Sequence, residues 1–83
     1  MRDQRYFTQA EAQALVGQPV RCRVRRAGVP KGTPGTVIHT REDEYGWFVA
    51  IQWAMLHRKS GRPVMDWFDR YEYLKAVEEL PPA

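Results

Sequence analysis

The sequence predicts an all-β domain: a small closed barrel of five short strands, with a short helix in front and a one-turn helix before the last strand. Three observations predict it. Near residue 19 the hydrophobic period changes from helical to two. Turn-forming residues then interrupt the alternation at 28–35, 41–46 and 55–62. Three Trp, four Tyr and three Phe supply the large rings on which a small core depends. Eighty-three residues suffice for one core and not two, so 1–83 is read as one domain, with the helix at about 8–17 and the barrel at about 18–80.

The elements follow in order. Thr8 and Glu11 have the spacing of a capping box, Phe7 and Ala12 that of a hydrophobic staple, and Gly17 is placed to end the helix left-handed. Val20-Arg21-Cys22-Arg23-Val24-Arg25 alternates apolar and basic residues, a half-buried strand with Val20, Cys22 and Val24 inward and the arginines in water. A Gly- and Pro-rich loop leads to a second strand over 36–40. The third, over 47–53, puts Trp47, Val49, Ile51 and Trp53 on one face. Pro63 can begin a strand but not sit inside one, which places the fourth over 64–68. A single helical turn is expected over 69–73, a closing strand within 74–80, and an end to order at Pro81-Pro82.

Gly32-Thr33-Pro34-Gly35-Thr36-Val37 resembles the G-x-x-G-x-V turn of KOW-type and related SH3-like modules. Gly46-Trp47 and Val49-Ala50-Ile51-Gln52-Trp53 resemble the strand that follows it, and 69–73 stands where such modules carry a short helical turn. The resemblance spans roughly residues 18–78 and implies an SH3-like barrel with a habit of binding. Type II dihydrofolate reductases are barrels of the same kind, with a Val-Gln-Ile-Tyr pore strand. The matching Val64-Met65-Asp66-Trp67 keeps the valine and an aromatic residue but lacks the glutamine, which counts against that activity.

Charge is uneven. Residues 1–41 hold eight Lys/Arg against two Asp/Glu, and 42–83 hold five against eight, for a net +3. This split favours a charged partner or head-to-tail self-association. Arg21, Arg23, Arg25, Arg26 and Lys31 are the candidate phosphate-tracking set, since guanidinium forks match phosphate oxygens; the same pattern also describes a solvated face or a charged protective edge. Trp67, Phe68, Asp69 and Tyr71 are the candidate partner-binding patch. Adjacent Trp67 and Phe68 must face opposite ways, so one lies outside the core, under the N-terminal helix or at an interface. Glu42-Asp43-Glu44 is only a loose analogue of the acidic tract that SH3 domains proper use for basic peptides.

Catalysis finds little footing. Asp66 and Asp69 are near enough in sequence for acid–base work, but they suit a helix cap and pairing with Arg70 or Arg62 better. His39 and His57 lie 18 residues apart without a second ligand at a metal spacing. Cys22 falls on an apolar face, and no Gly-rich phosphate loop precedes a helix. No enzyme activity, cofactor or metal is expected. No run approaches the roughly 20 apolar residues of a membrane span. The leading Met1-Arg2-Asp3-Gln4-Arg5 lacks a secretory segment, and with the lone cysteine this suggests the cytoplasm. The expected function is a non-catalytic module that binds a protein partner or itself, the alternative a nucleic-acid-binding module, and the remote one an oligomeric enzyme with a shared pore.

Overall fold

In the computed structural model, which describes residues 5–26 and 28–81, the elements run α1 (Gln9–Leu15), β1 (Pro19–Cys22), β2 (Pro34–Glu42), β3 (Trp47–Leu56), β4 (Pro63–Phe68), α2 (Arg70–Ala76) and β5 (Val77–Glu79). All five strands join one antiparallel sheet in the order β4-β3-β2-β1-β5. The leading residues 1–4, Ala27 and Pro82-Ala83 lie outside the described residues, and with them most of the leader reading and the second proline of the expected end to order. No described helix is long and apolar enough to cross a membrane.

The start of the chain folds as its sequence spells it. The Thr8 hydroxyl accepts from the Glu11 N–H at 3.2 Å while the Glu11 carboxylate accepts from the Thr8 N–H at 2.9 Å, closing the capping box. A helix of two turns cannot persist alone. It is held by Phe7 and Ala12, both buried in the core, and by Phe7, whose backbone exchanges two bonds with Trp47. That approach needs Gly46, where a Cβ would lie 2.5 Å from the Tyr6 Cβ. Gly17 takes φ +93° beyond the helix.

One face of the sheet holds the core. Val20 and Cys22 of β1, Val37 of β2, Val49, Ile51 and Trp53 of β3, Val64 and Phe68 of β4, and Val77 of β5 all lie in the buried cluster. Phe68 meets Trp53 edge-on, with centroids 6.3 Å apart at 82°; fully burying a ring of this size contributes about 1.5–3 kcal/mol. Gly35 lets the Trp53 indole cross β2, since a Cβ there would sit 2.7 Å from the ring. The second glycine of the G-x-x-G-x-V turn therefore has a packing reason in this chain.

Two expectations need correction. The first strand ends at Cys22, not Arg25. The Arg23 N–H goes to the Ala76 carbonyl at 2.8 Å, and Arg26 and Val29 bond each other across a tight turn. That turn drops Val29 into the core and leaves Val24 46% exposed, so Val29 fills the place expected for Val24. The helix before β5 has two turns rather than one. Leu74, Lys75 and Ala76 are good helix formers, and they extend it until only Val77–Glu79 remains as strand.

Candidate interaction surfaces

The basic residues do not share one face. Arg21, Arg23 and Lys31 line a shallow groove with Cys22, Gly32 and Glu78. There Arg21 comes within 3.9 Å of Glu78, a solvent-exposed pair of the kind that contributes about 0–1 kcal/mol. The Arg23 guanidinium donates to the Val77 carbonyl at 3.3 Å. Arg25 is exposed and stands apart from the groove. Arg26 turns the other way, with its guanidinium carbon 4.5 Å from the Phe68 centroid and a nitrogen 3.8 Å from Glu72. The early end of β1 is the cause: without a strand there is no common face to hold five cations.

Among the described residues, three of the eight bases in residues 1–41 meet acids of the second half. Arg5 pairs with Asp69 at 3.2 Å, Arg21 with Glu78 and Arg26 with Glu72. Each pair joins a base of the first half to an acid of the second. The asymmetry thus ties the chain's two ends together, which weakens it as an argument for a charged partner.

The expected aromatic and acidic patch also divides. Phe68 is 0% exposed and belongs to the core. Asp69 is buried as the N-cap of α2, accepting from the Glu72 N–H at 2.7 Å and from Arg5 Nε. Neither can present a surface to a partner. Tyr71 is exposed on α2. Asp66 faces inward and accepts from Trp53 Nε1 at 3.0 Å. The two acids therefore serve separate structural bonds, and Asp69 pairs with Arg5 rather than with Arg70 or Arg62. Burial pushes the Cys22 thiol up from its usual value, and its Sγ donates to the Val24 carbonyl at 2.9 Å. Among the described residues no three His, Cys, Asp or Glu side chains gather as metal ligands.

Trp67 lies on the opposite face of the sheet, and there the structure gathers residues that sequence reasoning missed. Ala50 sits between His39 and Trp67, Arg41 opposite Phe48, and Gln52 opposite Met65. The Arg41 guanidinium stands 4.6 Å from the Trp67 centroid and 5.6 Å from that of Phe48. Tyr6 stacks on Tyr45 at 5.9 Å and meets Phe48 edge-on at 5.6 Å. Ala50 is fully buried although it points away from the core, so the side chains of this outer face cover it themselves. Arg41, not α1, lies over Trp67. Phe48 was findable, because it alternates with Trp47 and Val49; Arg41 was not, because the register shift between Val37 and His39 moves it off the face that strict alternation from Val37 would give it.

The edge beside this face is open. Among the described residues, β4 has backbone bonds to β3 and to no other element. Met65, 42% exposed, and Trp67 project from it onto the outer face. Its one charged residue, Asp66, points inward. The preceding hairpin carries Arg58, Lys59 and Arg62 and no acid. Compared with known protein families, with curated proteins and with solved structures, the chain matches none.

Proposed function

We propose that this chain is a non-catalytic interaction module of SH3-like barrel type, and that it takes an extended, acidic segment of a partner protein as an added strand on β4. The barrel reading draws support from β5 lying next to β1 and from the helical turns between β4 and β5. The observation that carries the binding reading is the β4 edge itself: six residues long, unpaired outward among the described residues, with Met65 and Trp67 beside it and Arg41, Arg58, Lys59 and Arg62 around it. A strand added there gains main-chain bonds, and alternate side chains settle on the apolar outer face. The cations select acids in the incoming segment.

The test is a selection from a displayed library of random dodecapeptides on the immobilised chain, repeated on Met65→Glu. Enriched peptides should alternate apolar residues with Asp or Glu and lose binding to Met65→Glu, which removes an apolar contact and repels their acids. Enrichment of basic sequences, or equal binding to the variant, would overturn the reading. Dimerisation that Met65→Glu abolishes would make a second copy the occupant and overturn the choice of partner.

A second reading has one observation in its favour, the groove that joins Arg21, Arg23 and Lys31. As a nucleic-acid surface it should bind mixed-sequence DNA or RNA with a log–log salt slope of about −2 or steeper, and shallower once these residues are changed to Gln.

A further inference from the structure

We propose that Arg41 selects one acidic side chain in the incoming segment, at the position directly opposite Trp67. The partner's strand then carries an acid two residues from the apolar residue opposite Met65. The selection rests on β4 acting as the acceptor edge. Met65 and Trp67 both point outward from β4, and successive outward positions of an added strand are two residues apart. A residue opposite Trp67 has its Cβ about 4.5–5.5 Å from that of Trp67. The Arg41 guanidinium is already at that place, 4.6 Å from the Trp67 centroid, having crossed from β2 over β3. Ala50, fully buried beneath these side chains, is small enough to let it cross. A carboxylate opposite Trp67 therefore meets a guanidinium fork, the geometry it pairs with best.

Arg41 is held in place and unmatched. Phe48 is its second ring, 5.6 Å away, and Tyr6 and Tyr45 continue the aromatic row beyond Phe48. A cation attracted to two rings has less freedom left to lose on binding than one in open water. Among the described residues no acid pairs with Arg41 and no hydrogen bond occupies its guanidinium. The outward positions of β2, β3 and β4 hold no Asp or Glu. The acids next to Arg41 in sequence are placed elsewhere: Glu42 stands opposite Trp47 on the other face, and the Asp43 carboxylate accepts from the Tyr45 and Gly46 N–H groups. Arg58, Lys59 and Arg62 belong to the hairpin before β4, at the far end of the strand from Trp67. An acid opposite Trp67 thus has Arg41 as its partner.

The experiment is a double-mutant cycle read by titration calorimetry. The probe is the dodecapeptide most enriched on the wild-type chain, with versions in which each acid in turn is changed to its amide. The second chain is Arg41→Gln, an exposed position whose change leaves the core untouched. One acid, two residues from an apolar one, should cost about tenfold in Kd when neutralised against the wild type and almost nothing against Arg41→Gln. Arg41→Gln should itself bind the parent peptide about tenfold more weakly. Equal losses in the two chains at every acid would overturn the proposal while leaving strand addition in place. Peptides that bind Met65→Glu as tightly as the wild type would remove strand addition, and the proposal with it.

Discussion

The two edges of the sheet are built differently. β5 is three residues long, carries Glu78 and Glu79, and is followed by Leu80, whose N–H returns to the Pro19 carbonyl at 2.9 Å, and by Pro81. The Tyr73 hydroxyl donates to Glu79 at 2.7 Å and fastens β5 to α2. β4 is twice as long, faces outward with Met65 and Trp67, and turns its single acid inward. Shortness, charge and proline are the usual means of keeping an edge from pairing with another chain. β5 has all three; β4 has a proline at its start and an inward acid. The contrast locates the side of the molecule on which an added strand is admitted.

An open edge is informative only if the strand behind it is firmly held. Phe68→Ala tests this with the largest effect: loss of a fully buried ring against Trp53 should lower stability by about 3–5 kcal/mol in urea unfolding. A loss below about 1 kcal/mol would mean that β4 is loosely attached and its openness uninformative. Asp69→Ala removes the cap that joins β4 to α2 and should cost about 1–2 kcal/mol, read as a lower urea midpoint.

The closed edge has a pH signature. Burial, and then the bond to Glu79, raise the Tyr73 pKa well above its ordinary value. The unfolded chain then loses this proton near pH 10 while the folded chain keeps it, so the contribution is complete below about pH 10 and declines as pH rises further. Stability measured from pH 9 to 12 should fall, and less steeply in Tyr73→Phe. Equal slopes would detach the tyrosine from the closure of β5. The smallest effect is expected at the open edge, where Met65→Glu should change stability by no more than about 0.5 kcal/mol while abolishing strand addition.

Local rules carried far in this chain. The capping box, Gly17, the alternation in β3 and the start of β4 at Pro63 all depend on neighbours within a few residues, and all were legible. The Arg-Val-Arg alternation misled because its period continues past Cys22, whereas the backbone at Arg23 leaves the sheet to bond Ala76, 53 residues beyond Arg23. Val29 was hidden in a loop by the glycines and prolines around it. At the candidate site, Trp67 was legible as a residue outside the core. The outer face exists only once the strand register sets Arg41 beside Phe48 and Trp67. Sequence periodicity does not specify that event.

Amide hydrogen exchange of the chain, with and without the peptides selected on it, tests the β4 assignment most directly. The outward-facing amides of β4 should exchange readily in the free protein and slow on binding, while those of β5 stay as they were. Protection that falls on β1 or on α2, with β4 unchanged, would contradict strand addition at this edge.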